Sequence, residues 1–187
     1  MSNILIVYET AEGHTADIAH HIAKVTQEKG HNVETIDVKH IPFNYSLDTF
    51  DAFIFGASIH MSHYPAEIKS FIVTNQGYIE NYPSAFFSVC LTAAKSGSEA
   101  KTQVEQYIST FLSELDWQPQ AVASFGGALL YTSYGFFKKS LLKNIAQKSG
   151  LDTNTSQDYD YTDWEAVNKF VGDFLNLLPA SQPTMQV

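Results

Sequence analysis

Residues 3–15 read Asn3-Ile4-Leu5-Ile6-Val7-Tyr8-Glu9-Thr10-Ala11-Glu12-Gly13-His14-Thr15. Ile4 to Tyr8 is apolar without alternation and rich in β-branched residues, the pattern of a strand buried on both faces. A short polar turn with a glycine follows. Thr15 then opens a helix to about residue 29, with Ile18, Ile22 and Val25 on one face and Gly30 as its stop. A buried strand that feeds a helix through a tight turn is the first half of a βαβ unit.

The rest of the chain repeats this alternation. Residues 32–38, 52–57, 84–91 and 121–130 read as four more strands, the last interrupted by Gly126-Gly127. Pro65 suits the first turn of a second helix, in which Ile68, Phe71 and Ile72 share a face. Val104, Tyr107, Ile108, Phe111, Leu112 and Leu115 mark a third. The last helix is expected from Thr162, with Thr162 and Glu165 as a capping box, to Pro179. Strands alternating with helices predict a doubly wound five-stranded α/β domain with a parallel sheet.

One stretch does not fit. About 30 residues separate the fifth strand from the last helix, where a few would serve. Tyr134, Phe137, Leu141, Leu142 and Ile145 fall there at helical spacing, with Phe137, Leu141 and Ile145 as the stripe expected to pack on the domain. The reading is one domain over residues 1–178, with an insertion at about 131–160 and a loose tail at 179–187.

Composition narrows the function. The 187 residues carry 20 acids and 11 basic residues, all lysine, for a net charge of −9. That balance argues against nucleic-acid binding, and without arginine any phosphate must be held by amides, hydroxyls or lysine. Residues 131–150 are the exception: Lys138, Lys139, Lys143 and Lys148 occur there with no acid. The apolar runs are far shorter than a membrane span requires, and the start lacks a signal-peptide pattern, so a cytoplasmic protein is expected. The single cysteine, Cys90, reads as a small buried hydrophobe. His60 and His63 lack a third ligand, so no metal site is expected.

In a doubly wound sheet, ligands bind beyond the carboxyl ends of the strands. Thr10-Ala11-Glu12-Gly13-His14-Thr15 places hydroxyls, a glycine and a helix N-terminus together, a nest for a phosphate. The same residues would serve as a plain strand–helix turn capped by Thr15. Neither a Walker loop nor a dinucleotide fingerprint is present.

The loop resembles the FMN-phosphate loop of flavodoxins, with Glu12 in place of the usual threonine. Gly56-Ala57-Ser58-Ile59-His60, His63-Tyr64, Pro83-Ser84-Ala85-Phe86-Phe87-Ser88-Val89, Gly127-Ala128-Leu129 and Tyr161-Thr162-Asp163-Trp164-Glu165 resemble the menaquinone-dependent protoporphyrinogen IX dehydrogenase family. The resemblance spans roughly residues 3–178. It implies a flavodoxin-like fold with strand order 2-1-3-4-5, bound FMN, protoporphyrinogen IX as substrate and a quinone, menaquinone, as acceptor.

For the cofactor it points to residues Thr10, Ala11, Glu12, Gly13, His14 and Thr15, to Ser58, Ile59, His60 and Tyr64, to Leu91, Thr92, Ala93, Ala94 and Lys95, and to Gly127. Tyr64 or His60 would stack on the flavin or gate it. Family members carry arginines in the loops after strands four and five. Here His63, Lys95, Tyr131, Lys138 and Lys139 are the candidates facing substrate, and the basic inserted helix suits transient contact with an anionic membrane face. The alternatives are a flavodoxin-type electron carrier, which the acidic surface suits, and an NAD(P)H:quinone reductase.

Overall fold

The computed structural model describes residues 1–179 apart from 61, 134 and 149, and leaves out the side chains of 136–138, 141 and 148. Five parallel strands, β1 (Asn3–Glu9), β2 (Asn32–Asp37), β3 (Ala52–Ser58), β4 (Ser84–Cys90) and β5 (Ala121–Gly126), lie in the order β2-β1-β3-β4-β5. This is the order of a flavodoxin-like fold. Helices α1 (His14–Glu28), α2 (Ala66–Ile79) and α3 (Ser98–Glu114) cross between strands, and α5 (Trp164–Leu175) closes the domain. The insertion supplies α4 (Phe136–Lys148).

Alternating side chains divide the core between the two faces of the sheet. Ile4, Ile6, Ile54 and Phe87 pack with Ile18 and Ile22 of α1 and Val171 and Phe174 of α5. Leu5, Val7, Phe53, Phe55 and Phe86 pack with Ile68 and Ile72 of α2 and Ile108 and Phe111 of α3. Because both faces are covered, β1, β3 and β4 are buried along nearly their whole length, which accounts for their unbroken apolar runs. No helix among the described residues is long and apolar enough to cross a membrane.

The fifth strand is shorter than its sequence pattern predicts. The Gly127 amide donates to the Cys90 carbonyl at 3.1 Å, and the chain then leaves the sheet. Ala128–Leu129 becomes β6, paired antiparallel with β7 (Tyr159–Asp160). The two-stranded ribbon and α4 enclose a satellite core of Leu129, Tyr131 and Ala146, against which Leu91, Leu142, Leu151, Tyr159 and Tyr161 pack.

Two expectations for this region are corrected. The helical face that packs is Leu142 and Ala146, whereas Ile145 is 43% exposed. Tyr134 and the side chains of Phe137 and Leu141 lie outside the described residues, as does the tail beyond 179. The capping box does not form either. Asp163 is the N-cap of α5 and accepts from the Ala166 amide at 3.0 Å. Thr162 instead donates its hydroxyl to the Gly126 carbonyl at 3.1 Å, fastening the end of the insertion to β5.

Candidate functional site

β1, β3 and β4 end on one edge of the sheet, and the chain moves to β2 on one side of β1 before returning to β3 on the other. That reversal opens a crevice above the strand ends. After β1 the backbone turns at Gly13 with φ of 97°, a left-handed conformation costly for any residue with a side chain. The Gly13 amide donates to the Thr10 hydroxyl at 2.9 Å, which closes the turn just before α1. Thr15, in the first turn of the helix, is 2% exposed.

The crevice is an open cleft above the strand ends, with an enclosed volume of about 140 Å³ and its remaining space continuous with solvent. Thr10, Ala11, Glu12, His14 and Thr15 line one end, Ser58, Ile59 and His60 one side, and Leu91 and Gly127 another. Ser58 Oγ and His60 Nε2 are 2.9 Å apart. The walls change from polar at the α1 end to apolar at the far end, where Val89, Cys90, Ala128, Leu129 and Leu142 also reach the cleft. Burial pushes the Cys90 thiol up, so it is an inert wall rather than a nucleophile.

Other residues expected at this site lie elsewhere. Tyr64 turns into the core, donating to the Ser88 hydroxyl at 2.8 Å with its ring 4.4 Å from Phe111 and 5.5 Å from Phe86. That apolar setting drives its phenol pKa far up. Leu91–Ala94 winds into a 3-10 turn, which carries Thr92, Ala93, Ala94 and Lys95 toward the start of α3. There Lys95 borders two separate depressions, one with Lys101 and Glu105, the other with Glu99 and Leu151. Tyr131 is fully buried and donates to the Asp152 carbonyl at 2.9 Å, so it cannot meet a substrate directly. His63 is exposed in a two-residue bridge with His60. Lys139 lies beside Asp158, and the side chain of Lys138 is outside the described residues.

Two features of the site had no signal in the sequence pattern. Lys39, after β2, donates to the Thr10 carbonyl at 2.8 Å and forms an ion pair with Glu9, which is 3% exposed. The hydrogen bond that Lys39 donates to the Glu9 carboxylate holds the Lys39 pKa above its usual value. The second is the role of Leu142: its spacing marks it as part of a helix, but only the fold shows that it lines the cleft. Among the described residues no group of three or more His, Cys, Asp or Glu could hold a metal.

The lining suits a phosphorylated flavin. Backbone amides at the head of α1 and the hydroxyls of Thr10 and Thr15 offer donors to a monoester phosphate without any arginine. The apolar walls beyond them suit a planar ring.

The model of the flavodoxin domain matches residues 5–156. The chain is 35% identical over 180 residues to a protoporphyrinogen IX dehydrogenase [quinone] of Leishmania major, covering 96% of this chain and 77% of that one. It is 32% identical over 183 residues to the protein of that name from Escherichia coli (strain K12), covering 97% and 98%. The chain belongs to the protoporphyrinogen IX dehydrogenase [quinone] family. Among solved structures, oxidised flavodoxin 1 from Bacillus cereus superimposes with a TM-score of 0.58 at 18% identity, over 95% of this chain and 100% of that one. A short-chain flavodoxin associated with a bacterial microcompartment gives 0.59 at 13% identity, over 94% and 98%. These two likenesses establish the fold. The family's fold thus places the cleft at the head of α1, where the insertion overhangs it.

Proposed function

We propose that this chain binds FMN in the cleft and oxidises protoporphyrinogen IX with a quinone as electron acceptor. The observation that carries the reading is near-full-length similarity to two relatives of that name, joined to a cleft whose lining suits FMN. FMN, when bound, supplies the acceptor for the substrate's hydride and hands electrons on to the quinone. The chain's own residues hold and shield it. Thr10 and Thr15 with the amides at the head of α1 take the phosphate, on a turn that Gly13 shapes; Ile59, Leu91 and Gly127 border the ring, and Ser58 with His60 presents polar atoms along one side.

Leu142 of α4 lines the same cleft, so the insertion narrows the entrance and excludes water on that side. Substrate carboxylates have no arginine to meet, which leaves Lys95, Lys138 and Lys139 as their partners. Menaquinone as the acceptor and transient contact of the basic α4 with an anionic membrane belong to the same reading. A flavodoxin-type carrier is favoured by the −9 charge, but a carrier has no use for a helix that roofs its cofactor cleft.

The deciding experiment incubates the FMN-loaded protein anaerobically with protoporphyrinogen IX and a soluble menaquinone analogue. Protoporphyrin fluorescence should grow with turnover and stop when either flavin or quinone is omitted. Quinone reduction with NADPH alone, and none with protoporphyrinogen, would replace this reading with a quinone reductase. Electron exchange with redox proteins but neither reaction would replace it with a carrier.

A further inference from the structure

His14 stands inside the Thr10–Thr15 loop, yet its side chain is engaged by the far end of the insertion. Its Nε2 lies 2.7 Å from Thr162 Oγ1 and 3.4 Å from Asp160 Oδ1, and the side chain is only 12% exposed. The Thr162 hydroxyl has one proton, and it is donated to the Gly126 carbonyl at 3.1 Å. Toward His14 it therefore accepts, and Nε2 carries a hydrogen. Asp160 is itself held in place. Its Oδ1 accepts from the Thr162 amide at 2.9 Å and its Oδ2 from Trp164 Nε1 at 3.1 Å.

With Nε2 already a donor, a further proton must enter at Nδ1. That atom faces Asp17 Oδ2 at 3.9 Å. The charged and titratable groups around the imidazole are thus Asp17 on α1 and Asp160 on β7. His21 stands beyond the Trp164 ring, and Asp163 is turned to the cap of α5. Glu12 lines the same cleft, where His14 and His60 are the basic side chains. A phosphate cradled at the head of α1 would add a dianion next to this ring, which favours its charged form.

We infer that Asp160 and Thr162 are positioning residues for the cofactor phosphate. They clamp His14 at the loop so that its protonation and phosphate binding reinforce one another, and the returning end of the insertion becomes part of the phosphate site. This rests on the FMN reading and adds to it a residue pair outside the cleft and a proton taken up on binding. Affinity for FMN then rises as pH falls through the His14 titration, by about tenfold for each unit by which phosphate raises the imidazole pKa. The phosphate's own second ionisation works the other way. It is common to all variants, so the effect is read as the ratio of wild type to His14→Gln.

The test measures FMN dissociation constants by quenching of flavin fluorescence, from about pH 5 to 8. Riboflavin serves as the phosphate-free control. In parallel, NMR follows the His14 ring in the flavin-free protein with and without inorganic phosphate. The advantage of wild type over His14→Gln should grow toward low pH for FMN and be absent for riboflavin. Asp160→Asn should lower the His14 midpoint and move the FMN profile with it, and Asp160→Glu should restore both. A ratio that is flat with pH overturns the clamp and leaves FMN binding intact. So does a His14 midpoint indifferent to Asp160→Asn. Failure of wild type to bind FMN at any pH overturns the cofactor reading and the clamp's role in it.

Discussion

Gly126 and Tyr161 are in backbone contact across the root of the insertion: a Cβ on the glycine would lie 2.2 Å from the tyrosine carbonyl oxygen. The obstruction is main chain, so no rotamer change relieves it. Gly126→Ala should therefore destabilise the fold by about 1–3 kcal/mol. It should also displace the β7 segment, raising hydrogen exchange at the Tyr161 amide, which donates to the Gly127 carbonyl at 3.2 Å. Urea unfolding together with amide exchange reads both effects.

At the phosphate loop, Gly13→Val forces a β-branched residue to a φ of 97°. Thr15→Val removes a hydroxyl at the helix head. Each should weaken FMN binding by about 1–3 kcal/mol in calorimetric titration. Equal affinity in both variants would remove the phosphate from this loop.

The Glu9–Lys39 pair should show strong coupling in a double-mutant cycle. Lys39→Met strips the partner from a carboxylate whose Oε2 already lacks a hydrogen bond, and should cost about 1–3 kcal/mol in urea unfolding. Glu9→Gln combined with Lys39→Met should recover much of that loss, because the buried group is then neutral. Additive effects would show that the pair does not hold the loop's base.

Alkaline pH should unfold the protein in a defined window. Burial raises the pKa of Tyr8, Tyr64 and Tyr131, and pushes Tyr161 up to about 12. A raised folded pKa gives stability that is complete below the ordinary tyrosine value of 10.0 and is lost as pH climbs through the folded value. Absorbance of phenolate should therefore rise in two stages, with exposed tyrosines first and the buried set together with loss of the near-ultraviolet circular dichroism signal.

The basic helix carries a prediction about the membrane surface. Replacing Lys138, Lys139 and Lys143 by glutamate should abolish sedimentation with anionic vesicles, since each lysine contributes ~1 kcal/mol near such a surface. FMN content should be unchanged. Equal sedimentation of wild type and variant would remove the membrane from the proposal.

The strands and the cleft's polar end were legible because they depend on local pattern, whereas the strand order was implied by the family resemblance. Ile4 to Tyr8 can only be a doubly buried strand, and Gly13 ahead of α1 marks a turn that needs a glycine. Tyr64 and Tyr131 were misplaced for one reason. An aromatic in a loop at a strand's carboxyl end reads the same whether its ring faces a ligand or the core, and only tertiary partners, Ser88 and Phe111 for one and the Asp152 carbonyl for the other, decide it. The capping box failed because Thr162 had a better acceptor in Gly126, far away in sequence. Lys39 was invisible because its partners, Glu9 and Thr10, are set by strand pairing rather than spacing.

The hydrogen bond between the Tyr161 amide and the Gly127 carbonyl means that the insertion leaves and re-enters the domain at a single point. Its ends are already joined without it. To the five-stranded sheet, everything from Ala128 to Asp160 is a detour of zero net displacement, so its closure entropy grows only slowly with length. Such a segment can be lengthened, shortened or exchanged over evolutionary time while β5 and α5 keep their places. The root at Gly126 and Tyr161 thus separates an inherited scaffold from a module free to diversify what enters the cleft.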